Sequence, residues 1–387
     1  MSAITLPRMI RLGGGVLAET GEALSMLGLR APAIITDRFL LESGGVARLQ
    51  EILEKAGHKV SLFADTVPDP TTDCVDAAAA FVRAHKSDCV IGFGGGSPID
   101  TAKAAAVLAV REGAMRALKA PHQENTPALP VIAIPTTAGT GSEATRFTIV
   151  TDTRTDEKML CAGLAYLPIL AIVDYELTMT MPRRLTADTG VDALTHAVEA
   201  YVSRLANPFS DSMAISAMQL IWNNLRTAYH EPENRGARGH MMTGSMQAGI
   251  AFSNASVCLV HGMSRPIGAH FHVAHGLSNA MLLPAVTRWS IEEGGSRYAD
   301  CARVMSIATG TDTDSVAARK LVEALQALNQ ELTVPGPRAY GLDEKRWHEL
   351  LPLMAEQALA SGSPANNPRV PDAQTIIEIY NEVWQAG

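Results

Sequence analysis

Through its first half the chain alternates two apolar patterns. Short β-branched runs recur at Ala33–Thr36, Val60–Phe63, Cys89–Phe93, Val131–Ile134 and Leu170–Val173. Between them lie Ala-, Leu- and Glu-rich stretches of helical spacing, such as Gly45–Ala56 and Asp76–Ala84. The first pattern suits strands buried on both faces and the second suits helices that cover them. Repeated strand, helix, strand predicts a largely parallel sheet with helices on both sides, because parallel neighbours need a long crossover. After Met181-Pro182 the β-branched runs nearly vanish. Residues 188–204, 208–228, 240–252, 312–331, 343–358 and 372–385 then predict helices, punctuated by Pro, Gly and Asn. The expected architecture is α/β plus all-α. A Rossmann-like parallel-sheet domain covers residues 1–180, and an all-helical domain covers residues 181–387.

Composition narrows the function classes. At 387 residues with 47% apolar and 19% charged side chains, the chain can build two or three cored domains, and global disorder is excluded. Lys plus Arg number 32 against 40 acidic residues, a net charge of −8. That balance does not attract nucleic acid or an anionic membrane surface. The longest apolar runs, Ala104–Val110 and Leu167–Val173, fall far short of the roughly 18 residues a membrane span needs. Met1 to Arg11 carries two Arg and no long apolar block, so no secretory leader is expected. Five cysteines (74, 89, 161, 258, 301) form no CxxC pair and read as free or buried thiols of a reducing compartment. A cytoplasmic enzyme acting on a small molecule is the class that survives.

Two loops carry the first candidate chemistry. Asp88-Cys-Val-Ile-Gly-Phe runs into Gly94-Gly95-Gly96-Ser97-Pro98-Ile99-Asp100, a strand, a tight turn and a helix start. Ser97 suits the N-cap, Pro98 the first helical position, and Asp100 the third residue of a capping box. Exposed amides at such a helix start can receive a phosphate, although a plain tight βα turn reads the same way. Ile99 stands where the usual dinucleotide fingerprint has its third glycine. The acidic candidate for a ribose is Asp37, just after the first strand, rather than a residue following the glycines. A second small-residue loop, Pro135-Thr136-Thr137-Ala138-Gly139-Thr140-Gly141-Ser142-Glu143, also follows a strand. Strand carboxyl ends are where open parallel sheets bind ligands, so the two loops reinforce each other.

The helical half offers a carboxylate and several imidazoles. Asp192 and His196 are four apart and share a helix face in Thr189-Gly-Val-Asp192-Ala-Leu-Thr-His196-Ala-Val-Glu199. His261, Arg265, His270, His272 and His275 crowd into fifteen residues. Three imidazoles and one carboxylate can hold a divalent metal and leave a position for a substrate oxygen. Each histidine alone reads equally well as an ordinary buried residue, and Asp192–His196 alone as an ion pair. Beside a nucleotide loop, the combination favours a metal.

Taken together, Gly94-Gly-Gly-Ser-Pro-Ile-Asp100, Pro135-Thr-Thr-Ala-Gly-Thr-Gly-Ser142, Asp174 through Pro182 to Asp192, His196 and Glu199, and His261-Gly-Met with His275-Gly276 resemble the iron-containing (group III) alcohol dehydrogenases. The resemblance runs over essentially the whole chain. It implies a dehydroquinate synthase-like architecture with catalysis in the cleft between a dinucleotide-binding domain and a helical metal domain. It implies Asp192, His196, His261 and His275 as metal ligands. Gly95, Gly96, Ser97 and Asp100 correspond to the pyrophosphate loop, Thr136, Thr137 and Ser142 to cofactor-contacting hydroxyls, and Lys158 to a cofactor-contacting lysine. Asp37 corresponds to the acceptor of the adenosine ribose hydroxyls, and a carboxylate there would repel a 2′-phosphate, which favours NAD over NADP. The implied reaction moves hydride between NAD(H) and a small primary alcohol or aldehyde. Iron is the metal the family name suggests, and the same ligand set also suits zinc, nickel or cobalt. Homodimers or larger homo-oligomers are the implied assembly.

One position departs from the family pattern. Arg265 stands four residues after His261, where many members carry a further histidine credited with proton transfer. An Arg is no base near neutral pH. Either water and the ribose carry the proton, or His270 or His272 substitutes. Arg265 could instead bind an anionic substrate group, or pair with a neighbouring carboxylate and never meet substrate. Rival readings are a dehydroquinate-synthase-like NAD- and metal-dependent lyase, a non-haem iron oxygenase with two His and one carboxylate, and a non-catalytic nucleotide-binding protein. The first lacks an obvious basic cluster. The second leaves a ligand and both loops unexplained.

Overall fold

Ile34, Ile91, Ile132 and Ile172 lie in one buried cluster, and Ala33, Ile35, Val90 and Val131 in another. Alternate residues of paired strands therefore feed opposite faces of one sheet. The computed structural model describes residues 3–386. Its strands are β1 (Met9–Gly13), β2 (Pro32–Ile35), β3 (Ser61–Phe63), β4 (Cys89–Gly94), β5 (Val131–Pro135), β6 (Phe147–Asp152), β7 (Glu157–Ala162) and β8 (Leu170–Asp174). Six of them form a parallel sheet in the order β1-β8-β5-β4-β2-β3, with Ile34 opposite Ile91 and Ile91 opposite Ile132. Helices α1 (Thr20–Met26), α2 (Arg38–Glu42), α3 (Gly45–Lys55), α4 (Thr72–Ala84) and α5 (Gly96–Leu108) belong to the same half. Leu24, Val46, Leu49 and Leu53 of α1 and α3 cover the isoleucine face. Val75, Ala79 and Val82 of α4 and the alanines of α5 cover the other.

The sheet order fixes where a ligand can approach. The chain steps from β2 outward to β3, then returns past β2 to β4, so the winding reverses between β2 and β4. At such a reversal the connecting segments diverge and leave a crevice beyond the carboxyl ends. Asp37 follows β2 there, the glycines follow β4, and Thr136 follows β5. The strand ends are tied together: Thr36 Oγ1 donates to the Phe93 carbonyl at 2.8 Å, and the Thr136 amide to the Gly94 carbonyl at 2.9 Å.

Three strands here go beyond the five expected. β1 is not among the expected strands, nor are β6 and β7, which form an antiparallel hairpin with Asp152 opposite Glu157 beside the largely parallel layout that was expected. β1 is short and carries Arg11, and β6 alternates half-buried and buried residues. β1 therefore lacks a β-branched run, whereas Thr148-Ile149-Val150-Thr151 of β6 is one that the sequence reading passed over.

Contacts divide the chain into Thr5–Thr180 and the part from Met181 onward. The second unit comprises α6 (Arg183–Val202), α7 (Pro208–His230), α8 (Arg235–Asn254), α9 (Leu259–Phe271), α10 (His275–Val304), α11 (Asp314–Glu331), α12 (Pro337–Tyr340), α13 (Glu344–Ala360) and α14 (Ala373–Gln385). Its hub is α6, which packs on α7, α8 and α10 and is buried at every position from Gly190 to Val202. A helix buried all round has no polar face to offer water, so its polar side chains must find partners inside. The expected helices left 253–311 bare, yet α9 and α10 occupy most of it. Pro266 lies inside α9 and Pro284 inside α10, and such residues count against a helix by propensity. Burial of Leu259–Ser264 and Leu277–Thr287 outweighs that cost.

Among the described residues no helix is long and apolar enough to cross a membrane. All five cysteines are unpaired, four buried and Cys74 partly exposed. Met1 and Ser2, which open the stretch read for a leader, lie outside the described residues.

Candidate metal centre and cofactor loops

The turn after β4 starts its helix earlier than expected. Gly95, at φ −71° and ψ −161°, is the N-cap of α5, and no side chain caps that end. Ser97 is therefore the second residue of the helix and Pro98 the third, which corrects the expected cap. Ser97 Oγ accepts from the Asp69 amide at 3.3 Å. The expected capping box is absent too, because Asp100 is drawn inward, where it accepts from Ser142 Oγ at 2.8 Å and the Ile149 amide at 2.9 Å. The physical reason is the hairpin: without Asp100 the Ile149 amide would lose its acceptor. What remains at the helix start is a set of uncapped amides over glycines, suited to an anion.

The second loop lies against the first. A Cβ on Gly96 would come within 3.0 Å of Thr140 Cγ2, whereas one on Gly95 would meet Thr137 only at an ordinary 3.6 Å. Gly95 is thus kept open by nothing in the protein itself, as a cradle for a bulky group requires. Thr136 is mostly buried beside it. Ser142 is turned the other way: its hydroxyl donates to Asp100 and accepts from Lys103 Nζ at 2.9 Å. Lys158 on β7 pairs with Asp69 Oδ1 at 2.8 Å, so Asp69, unmarked in the sequence, links Lys158 to Ser97. Asp37 caps α2 through the Leu40 amide at 2.9 Å.

Behind these loops sits a buried charge cluster. Lys103 Nζ lies within 2.8–3.0 Å of Ser142 Oγ, Thr145 O, Thr145 Oγ1 and Phe147 O. Burial pushes the Lys103 ammonium down to about 8 against the attraction of Asp100 and Glu143. Burial likewise pushes the Glu143 carboxyl up to about 7.

In the helical unit, three helices converge. Asp192 and His196 stand one turn apart on α6, His261 is on α9, and His275 is the first residue of α10. One ligand atom from each lies within 4.8 Å of the others. His261 Nε2 and His275 Nε2 are 3.6 and 3.7 Å from Asp192 Oδ1, and His196 Nδ1 is 3.9 Å away. The close approach of α10 to α6 needs Gly276, where a Cβ would stand 2.5 Å from the Asp188 carbonyl oxygen. Burial alone would raise the Asp192 carboxyl, but the charges of His196, His275 and His261 outweigh it and hold it well below the usual carboxylate range. His196 stacks on Phe252, with ring centroids 4.4 Å apart and 17° between planes. A nitrogen-rich cluster with one carboxylate suits a divalent transition ion far better than calcium or magnesium, which prefer all-oxygen sites.

Two supporting residues had no role in the sequence reading. Asn279 Nδ2 donates to Asp192 Oδ1 at 2.6 Å and lies 3.1 Å from His261 Nε2 and 3.2 Å from His275 Nε2. Its one sequence signal is that it stands a helical turn after His275. Glu199 accepts from His261 Nδ1 at 2.7 Å, one face of α6 presenting Asp192, His196 and Glu199 at i, i+4 and i+7.

The remaining candidates separate. Arg265 follows His261 by one turn of α9; among the described residues it has no ion pair and no hydrogen bond from its side chain. Burial lowers its guanidinium to about 10 against the opposing charge of Glu199. The alternative in which Arg265 pairs with a neighbouring carboxylate is not met by a direct ion pair, and Glu199 acts on it through its charge alone. His270 and His272 are not brought to the cluster. His270 Nε2 meets Gln357 Oε1 at 2.8 Å, and His272 is the exposed left-handed C-cap of α9. Nine residues separate His270 from His261, two and a half turns that put it on the opposite face.

Known proteins share this arrangement end to end. The model of the iron-containing alcohol dehydrogenases matches residues 7–175, and that of the C-terminal part of the Fe-containing alcohol dehydrogenase family matches residues 186–384. The chain is 34% identical to lactaldehyde reductase of Escherichia coli (strain K12) over 374 residues, 96% of this chain and 97% of that one. A crystal structure of 1,3-propanediol oxidoreductase superposes with a TM-score of 0.95 at 34% identity, covering 99% of this chain and 100% of the other. Sulfoacetaldehyde reductase from Bifidobacterium kashiwanohense, solved in complex with NAD+, gives a TM-score of 0.88 at 28% identity over 100% of both chains.

Proposed function

Since the chain belongs to the iron-containing alcohol dehydrogenase family, and is thus an oxidoreductase interconverting alcohols and aldehydes at the CH–OH group, we propose that it uses NAD(H) and a ferrous ion on a small substrate bearing an anionic group. The observation that carries the metal assignment is the meeting of Asp192, His196, His261 and His275 from three helices within 4.8 Å. In this reading residues 1–180 bind the cofactor and residues 181–387 hold the metal. When bound, the ion supplies Lewis-acid polarisation of the substrate oxygen and NAD(H) supplies or accepts the hydride.

The chain's own residues do the rest. Asp192 brings the one negative charge among the four ligands, and the imidazoles bring neutral nitrogen donors. The uncapped amides at Gly95 and Gly96 take the pyrophosphate, which sets the position of the nicotinamide. Asp37 spends one oxygen on the Leu40 amide, and its other oxygen accepts the ribose hydroxyls. Its charge opposes a 2′-phosphate, so NAD is the cofactor rather than NADP. Ser142 serves by holding the loop, since its hydroxyl is engaged with Asp100 and Lys103. His270 is held by Gln357, His272 caps the end of α9 and Arg265 is no base, so none of the three serves as a proton acceptor beside the cluster. The five free thiols fit a reducing cytoplasm, and the same reading takes the enzyme to be a homodimer or larger.

Arg265 supports the anionic substrate. A partly exposed guanidinium one turn from a metal ligand, with no carboxylate of its own, is a ready fork for a carboxylate, phosphonate or sulfonate. A solved relative that is a sulfoacetaldehyde reductase agrees with it. The test pairs each neutral aldehyde with an acidic one of similar length. A hydrogen bond to a charged group is worth about 1.5–3 kcal/mol, or about 10–100-fold in kcat/KM. Arg265→Leu should lose that factor on the acidic partner and keep the neutral one. Equal losses on both partners would reject the anionic substrate.

A further inference from the structure

Glu199 is 2% exposed, and its carboxylate accepts three hydrogen bonds. Oε1 takes the Val260 amide at 2.6 Å, and Oε2 takes the Cys258 amide at 2.8 Å and His261 Nδ1 at 2.7 Å. Cys258 is the N-cap of α9 and makes no side-chain cap of its own. A carboxylate from α6 therefore caps α9, where the helix dipole favours negative charge. In return Cys258 Sγ donates to the Glu199 carbonyl at 3.4 Å.

The chemistry of the contact fixes the ring. An ionised carboxylate only accepts, so His261 Nδ1 must carry the proton. The other nitrogen reads the same way. Asn279 contacts Asp192 Oδ1 at 2.6 Å through its amide nitrogen, and that nitrogen faces His261 Nε2 at 3.1 Å. A donor on that side leaves Nε2 as a bare acceptor.

We propose that Glu199 is a positioning residue that sets the tautomer of His261, keeping Nε2 unprotonated for a metal while locking the start of α9 to α6. The proposal rests on the metal reading above for its consequence, though the tautomer itself does not. Glutamine cannot replace this carboxylate. Its single carbonyl cannot serve the oxygen positions facing both Val260 and the Cys258–His261 pair. If its NH2 faces the ring, His261 must move its proton to Nε2, and the nitrogen aimed at Asp192 is lost as a ligand.

The experiment uses the full-length, metal-free protein with 15N-labelled histidine, the His261 signals being assigned by their loss in His261→Gln. Glutamine at position 199 can still turn its oxygen to the ring, so the variant is Glu199→Leu, which removes every acceptor. Wild type should show Nδ1–H with Nε2 bare, and Glu199→Leu should shift His261 toward Nε2–H. Zinc affinity, measured by competition with a chromophoric chelator, should fall about 10–100-fold in Glu199→Leu. A residue that only capped α9 would lower the melting temperature and leave tautomer and affinity unchanged, which would overturn the proposal. If Glu199→Leu fails to fold, wild type alone decides, since a His261 with Nδ1 bare and Nε2–H also overturns it. Affinity lost in Asp192→Asn but kept in Glu199→Leu removes the role of Glu199 alone. Affinity kept in both removes the metal reading with it.

Discussion

A lysine with no exposed surface must recover inside the protein every hydrogen bond it gave up in water. Lys103 does so with four oxygens of the segment from Ser142 to Phe147, and Asp100 and Glu143 supply the opposing charge. The result joins α5, whose start is the glycine loop, to the loop that lies over it. The balance has a pH signature. The folded Glu143 carboxyl titrates at about 7 against an ordinary 4.5, so the native chain holds that proton more tightly than the unfolded one. Its contribution to stability is full below about pH 4.5 and is lost as pH rises through about 7. Urea unfolding between pH 5 and 7.5 should therefore show a shallower decline in Glu143→Gln than in wild type. Identical slopes would mean that burial does not hold Glu143 protonated.

At the scale of elements, the turn after β4 separates folding from binding. Alanine at Gly95 finds an allowed backbone conformation and no close contact in the protein. Gly95→Ala should melt near the wild-type temperature yet bind NADH roughly tenfold or more weakly, as read by titration of cofactor fluorescence. Unchanged NADH affinity would take the pyrophosphate away from this loop. The same turn marks what a sequence can and cannot disclose. Its glycines and strand were legible because tight turns constrain residue type locally. Asp100 was not, because its partners Ser142 and Ile149 are over forty residues away. The helices bearing His261 and His275 were hidden for a related reason, since Pro266 and Pro284 argue locally against helices that distant packing stabilises. Residue type marked the two loops and a crowd of imidazoles, and the family resemblance picked out Asp192, His196, His261 and His275, whereas Glu199 and Asn279 gained meaning only once α6, α9 and α10 were seen to meet.

For the whole molecule, the alternation of strand and helix was enough to predict the parallel sheet, but the reversal between β2 and β4 depends on strand order, which periodicity does not encode. The candidate cluster spans residues 192 to 275, a separation over which spacing says nothing of distance, and the packing of α6 is what brings it together. Function at this scale reduces to one requirement: turnover must depend on that centre. The direct measurement is anaerobic titration of metal-depleted, full-length protein with ferrous iron, following NADH oxidation by an aldehyde that bears a carboxylate. Turnover should be absent without metal, rise to a plateau at a single ion per chain, and fail to return in His261→Ala although that variant still binds NADH. Full turnover in the metal-free protein, or undiminished turnover in His261→Ala, would contradict the account.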